Sequence, residues 1–362
     1  MAIHYGAQQT APQESARLQA AARAHLAPPG RAGGKHTMIS KMTGLLAAAM
    51  IVAAPSAFAA DAYPTKPITV IVPFAAGGPT DTVARLVAQS MTNDLKQQVN
   101  VENVGGAGGT LGAGRVARAA PDGYTLLLHH IGQATAPSLY RKLAYKADDD
   151  FAGIGLVTDV PMTIVTKKDF PAKDVPELLA YLKANKDKVT YANAGVGSAS
   201  HLCGMLFMSA IGTQLTTVPY KGTGPAMNDL LGGQVDMMCD QTTNTSSQIK
   251  SGAIKAYAVT TKTPVPSLPN LPTLDKSGLA GFEVAVWHGL YAPKGTPKPI
   301  IDRLTKSLQL ALQDATVKQR FADLGTEPVS QERATPEALD KFVRAEIAKW
   351  NPVIKEAGVY AD

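Results

Sequence analysis

Two cysteines, Cys203 and Cys239, stand in a chain of 362 residues. They are too few for a zinc knuckle, and they leave two readings open: a disulfide, if the protein is exported, or two small buried hydrophobes. Aromatic residues make up only 6% of the chain, which argues against a surface on which bases stack. Charge of one sign is also lacking once position is considered. The formal +6 comes largely from the first 59 residues, where Arg17, Arg23, Arg31, Lys35 and Lys41 face a single acid, Glu14. The rest of the chain holds 30 basic and 28 acidic residues, a balance that leaves no electrostatic footprint for nucleic acid. No apolar run is long enough to cross a bilayer.

Catalytic signatures are missing as well. Residues 103–114 are rich in glycine, but Gly106 and Gly108 are followed by Leu111 where a dinucleotide fingerprint needs a third glycine. No Lys-Ser/Thr pair closes the segment as a phosphate loop, so it reads as a flexible turn entering a helix at 111–119. Ser198 and Ser200 lack the flanking glycines of a nucleophile elbow. His-Glu-x-x-His is absent, and Asp148-Asp149-Asp150 reads as a solvated loop rather than an acid–base pair. His129 and His130 are neighbours on a strand and would point to opposite faces. That disfavours a shared metal and places one of them in the core or in a cleft wall. No catalytic residue, metal or cofactor is therefore expected; an enzyme acting on a carboxylate stays an alternative without support.

What is present begins with a targeting pattern. Lys41, an apolar stretch at 44–54 and Pro55-Ser56-Ala57-Phe58-Ala59 have the order of a basic n-region, an h-region and an Ala-x-Ala cleavage site. The expectation is a signal peptide over 38–59, starting at Met38 and cleaved near Ala59, with 1–37 an upstream extension. The alternatives are a longer n-region or an uncleaved anchor.

Beyond it, short apolar runs alternate with helical spacing, the mark of parallel sheets with right-handed crossovers. The stretch at 69–84 organises the rest. A strand at 68–72 ends at Pro73, Gly77 and Gly78 follow, and Thr80 and Asp81 are good helix caps before Val83, Leu86, Val87, Met91 and Leu95. The same order of strand, glycine loop and helix start recurs at 189–202 and again at 216–231. Free amides and the positive end of a helix dipole meet at such a loop and hold an anion without a basic side chain. In open sheets these loops lie at the carboxyl ends of the strands, where ligands sit. The candidates have plainer readings beside them. Asp81 either caps its helix or orders the loop; Ser198 caps a helix but also offers a hydroxyl beside two amides; His201 is more simply packed. Asp240, at a strand end, would repel a carboxylate unless it orders water or a donor.

These residues carry a resemblance. Pro73-Phe74-x-x-Gly77-Gly78-x-Thr80-Asp81, Ala120-Pro121-Asp122-Gly123-Tyr124-Thr125, Val218-Pro219-Tyr220-Lys221-Gly222 and Asp229-Leu230-Leu231-Gly232-Gly233-Gln234-Val235-Asp236 resemble the substrate-binding proteins of tripartite tricarboxylate transporters, the Bordetella uptake gene family. The likeness runs from Tyr63 to the end of the chain. It implies an α/β, two-lobed periplasmic binding protein of the type II kind, each lobe a mixed or parallel sheet flanked by helices, with two crossovers at a hinge. Lobe 1 would be 61–160 plus 286–362, and lobe 2 would be 161–285.

The resemblance further implies a periplasmic monomer that delivers a small mono- or dicarboxylate, aliphatic or aromatic, to membrane transporter subunits. A sensor signalling to a membrane partner would need the same pocket. Carried over, the ligand would be met by Phe74, Ala75, Gly77, Gly78, Thr80 and Asp81 from one lobe. Ala194, Gly195, Gly197, Ser198 and Ala199 would meet it from the other, with Gln133, Thr135 and Asp240 nearby. Pro79 stands where many relatives have a glycine, the stretch 132–136 departs from a common one containing His and Asn, and Cys239 replaces a common aromatic. The ligand's identity does not carry over.

Overall fold

The computed structural model describes residues 63–361; the expected signal peptide and its cleavage site lie outside them. The chain opens on Ile68–Val72 (β1), whose apolar residues are buried on both faces. It is the centre of a parallel trio with Val99–Asn103 (β2) and Thr125–His130 (β3). Pro79–Leu95 (α1) and Thr110–Ala117 (α2) form the crossovers. Pro79 sits in the first turn of α1, where its missing N–H removes no helical bond. Thr80 and Asp81 therefore lie inside the helix, and Gly78 takes the cap position.

Gly132–Leu139 (α3) follows directly on β3 and contains Pro137, a helix that the residue pattern did not announce. Next comes Phe151–Lys167 (β4), one strand of 17 residues that carries Pro161 in its interior. The proline marks a change of partners rather than a break. Residues 151–161 pair antiparallel with Ala285–Pro293 (β9), while 162–167 pair with Met237–Gln241 (β7) on one side and Ile254–Val259 (β8) on the other. β9 in turn pairs with β3.

Thr190–Asn193 (β5), Thr216–Pro219 (β6) and β7 form a second parallel trio. The strands thus run β2-β1-β3-β9-β4-β7-β5-β6, with β8 and the short Glu327–Pro328 (β10) also on β4. The chain returns from β8 to β9 beside the same switch point: Thr260 N–H donates to Met162 O at 2.9 Å and Val284 N–H to Thr260 O at 3.0 Å.

Val175–Ala184 (α4) starts at Asp174, whose side chain accepts from Glu177 N–H as a cap. Ala199–Ala210 (α5), Thr223–Leu231 (α6) and Thr242–Lys250 (α7) follow β5, β6 and β7 in turn. Two helices follow β9, Lys298–Gln313 (α8) and Ala315–Asp323 (α9). Asp314 separates them because its carboxylate accepts from Thr316 and Val317 N–H, and aspartate favours a cap over a helix interior. Pro336–Ala357 (α10) ends the fold. Cys203 on α5 and Cys239 on β7 form a disulfide, which settles the choice left open by their number. A bridge across 36 positions is worth about 3–4 kcal/mol in the chain-entropy picture. No described helix is long and apolar enough to cross a membrane.

Candidate functional site

The carboxyl ends of β1, β5, β6 and β7 bring four helix starts to one place. The first turns of α1, α5 and α6 and the cap residue of α7, Gln241, border a small, tightly closed cavity. Phe74, Gly78, Pro79, Thr80 and His130 line it from the β1–β3 side, and Ala194, Ser198, Ala199, Ser200, Thr223, Asp240 and Gln241 from the β5–β7 side. None of these side chains is basic. The field that attracts an anion comes instead from the convergent helix starts, each equivalent to about half a positive charge.

Most loop amides here are already occupied by the loops themselves. Ala75 N–H donates to Lys221 O at 3.0 Å and Ser198 N–H to Gly195 O at 3.1 Å. Gly77 N–H donates to Asp81 Oδ2 at 3.0 Å, Ala194 N–H to Ser200 Oγ at 2.9 Å and Gly195 N–H to Asn193 Oδ1 at 2.8 Å. The amides left without an acceptor among the described residues are those of Gly78, Thr80, Ala199, Ser200 and Thr223, at or beside the first turns of α1, α5 and α6. The donors for an anion are thus helix starts, with the glycine bends serving to shape them.

The loops from the two sides also touch. Tyr140 OH donates to Val196 O at 2.7 Å, and Thr135 Oγ1 to Gly197 O at 3.3 Å. Glycine is required where backbones meet. A Cβ on Gly108 would lie 1.8 Å from Val196 O, and one on Gly224 would lie 2.8 Å from Ala76 O. This close approach explains the glycine-rich stretch at 103–114, read from the sequence only as a flexible turn.

Three histidines cluster behind Phe74. The rings of His129 and His130 lie 5.7 and 4.6 Å from the Phe74 ring, and His288 lies 6.0 Å from His130. The two neighbours on β3 do not diverge as an extended strand would require, because the chain turns into α3 at His130 and their rings come within 5.0 Å. Burial holds His130 neutral, its pKa pushed down to about 3, and burial lowers His129 and His288 well below the usual imidazole range. His130 Nδ1 accepts from Gly132 N–H at 2.9 Å, so the proton of the neutral ring sits on Nε2 and makes it a donor. Among the described residues no group of His, Cys, Asp or Glu is arranged to hold a metal ion.

Two aspartates have opposite environments. Burial works to raise the Asp81 pKa, but bonds from Arg85, Gly77 N–H and Asn103 outweigh it and keep the carboxylate ionised. It orders the loop and caps nothing. Asp240 is fully buried, and burial pushes it up to about 6 against bonds from Asn244, Gln241 N–H and the Thr223 hydroxyl.

Of the residues expected from the sequence, Phe74, Gly78, Thr80, Ala194, Ser198, Ala199 and Asp240 line the cavity. Ala75, Gly77, Asp81, Gln133, Thr135, Gly195 and Gly197 do not; Gln133 is buried and donates to Ala147 O at 3.2 Å. Pro79, His130, Ser200, Thr223 and Gln241 complete the lining. Thr223 was marked by the third glycine loop. Gln241 was hidden because α7, with Thr242, Thr243, Asn244, Thr245, Ser246 and Ser247, has almost no apolar spacing to betray a helix.

Comparison with known proteins gives this geometry a setting. The model of the tripartite tricarboxylate transporter family receptor matches residues 83–359. The solved structure of the periplasmic binding protein BugD is 56% identical, with a TM-score of 0.81, covering 82% of this chain and 99% of that one. MatC from Rhodopseudomonas palustris, solved with bound malate, is 43% identical with a TM-score of 0.78, covering 81% of this chain and 100% of that one. R. palustris Rpa4515, solved with adipate, is 32% identical with a TM-score of 0.78, covering 82% of this chain and 99% of that one. The likeness in fold to these neighbours agrees with the mixed sheet and flanking helices described above. The chain belongs to the tripartite tricarboxylate transporter receptor family, the periplasmic solute-binding proteins also called the Bordetella uptake gene family, and it is a binding protein rather than an enzyme.

Proposed function

We propose that this protein captures a small mono- or dicarboxylate in the cavity between the β1–β3 and β5–β7 loops and delivers it to a tripartite tricarboxylate-type membrane transporter. One observation carries the reading: the starts of α1, α5 and α6, with free amides at or beside their first turns, border a cavity that has no cationic side chain. Such donors suit a carboxylate, and each bond to a charged acceptor is worth about 1.5–3 kcal/mol. The malate and adipate of the two R. palustris neighbours support the same class of ligand.

In this reading 61–160 with 286–362 and 161–285 are two lobes that close on the ligand. The change of partners on β4 after Pro161 and the return beside Thr260 are the natural hinge. Export by the signal peptide at 38–59 would bring the chain to its transporter. The ligand would be held chiefly by Gly78, Thr80, Ser198, Ala199 and Ser200, with Ala75, Gly77, Asp81, Gln133, Thr135, Gly195 and Gly197 shaping the loops.

Thermal denaturation across aliphatic and aromatic carboxylates tests this. A ligand at a hundred times its Kd adds about 2.7 kcal/mol of stability, a rise of roughly 5 °C or more for a domain of this size. No rise with any carboxylate would refute the assignment.

A further inference from the structure

A buried carboxylate in the wall of a carboxylate site needs a reason. Asp240 is 1% exposed, lies at the end of β7 and lines the cavity. Asn244 Nδ2 donates to its Oδ2 at 2.6 Å, and Gln241 N–H and the Thr223 hydroxyl stand as two further donors. Three donors against about four acceptor positions on an ionised carboxylate leave room for one more. The next residue repeats the pattern: Gln241 also lines the cavity, and its Oε1 is buried with no partner among the described residues. Two adjacent acceptors are thus under-supplied in a wall otherwise built of donors. A ligand that brought only carboxylate oxygens would set like charge against Asp240 and leave Gln241 unpaired, and buried polar groups without partners are costly.

We propose that Asp240, with Gln241 beside it, selects carboxylates that also carry a hydrogen-bond donor, a hydroxyl or an ammonium, and discriminates against the unsubstituted acid of the same skeleton. This rests on the carboxylate reading above. The opposite wall fits it, because His130, whose proton lies on Nε2, lines the cavity together with Gly78 and Thr80 at the start of α1. The ligand is therefore oriented, its acceptors toward the β1–β3 side and its donor toward Asp240.

Isothermal titration with matched sets of acids tests the proposal on the intact protein. The sets are succinate, malate and aspartate; propionate, lactate and alanine; phenylacetate, mandelate and phenylglycine. In whichever set binds, the hydroxy or amino acid is expected to bind about 10- to 100-fold more tightly than the plain acid, and the better of the two identifies the donor. In Asp240→Asn the preference is expected to shrink to about threefold, with the thermal midpoint checked to confirm folding. Equal or tighter binding of the plain acid by the unaltered protein overturns this proposal while leaving the carboxylate function intact. Failure of every acid to bind overturns both.

Discussion

Ser198 illustrates how one side chain at this site does two things. Its Oγ accepts from His201 N–H at 3.2 Å as the cap of α5, and it pairs with Ser200 Oγ at 3.1 Å. Ser200 Oγ in turn accepts from Ala194 N–H, so the hydroxyl pair ties the loop to the first turn. Ser198→Ala is expected to lower stability by about 1 kcal/mol through the lost cap, and to raise the Kd for the captured carboxylate about three- to tenfold by loosening two free amides. Calorimetric unfolding and titration read the two effects separately; an unchanged Kd would mean that the loop is held by its glycines alone. At this scale the sequence was legible where a residue's chemistry is local. A serine before an apolar helix is a cap in any fold. Asp81 was not decidable, because Pro79 moves the cap back to Gly78 and only the tertiary partners Asn103 and Gly77 show what the carboxylate does. The part played by His130 depended on a turn after β3 that no periodicity marks.

Among the elements, the contact between the two sets of loops is the most sensitive. Gly108 has φ +60° and would place a Cβ 1.8 Å from Val196 O, on a loop from the other trio of strands. Gly108→Ala thus combines a disfavoured backbone conformation with a collision that only separation of the loops relieves. Since the same approach brings Gly78 and Ser198 to one cavity, the substitution is expected to weaken carboxylate binding at least about tenfold, while unfolding in the absence of ligand shifts by about 1 kcal/mol or less. Small-angle scattering with and without ligand gives the deciding measurement. A variant that compacts on ligand as the unaltered protein does would show that the loop contact is incidental. The recurring order of strand, glycine loop and helix start was enough to find β1, β5, β6 and the helices that follow them. It was not enough for β4. A strand that changes partners in its middle carries a proline where an uninterrupted ladder would forbid one, and so it looks broken.

For the molecule as a whole, burial of ionisable groups near the cavity sets its response to acid. His129, His130, His201 and His288 are all held below the ordinary imidazole value by burial, His201 to about 4 and His130 to about 3. Below about pH 6.5 the unfolded chain takes up protons at these positions that the folded protein refuses, so each of them costs stability as pH falls. Asp240 acts in the opposite sense. Its folded value of about 6 exceeds the unfolded value of 3.8, so the folded form holds a proton between these limits and gains relative stability as pH drops through 6; Asp340, also raised by burial, adds to this. Four histidines against two acids leave the histidines dominant, and stability is expected to fall as pH drops from about 6.5 towards 5. Asp240→Asn removes one of the compensating groups together with its burial penalty. The variant should therefore be more stable than the unaltered protein at neutral pH, on the order of 2–3 kcal/mol, and should lose stability more steeply between pH 6 and 4. Urea unfolding at half-unit steps from pH 7.5 to 4 measures both slopes. Parallel curves for the two proteins would mean that Asp240 titrates near its ordinary carboxyl value in the fold and that burial does not raise it.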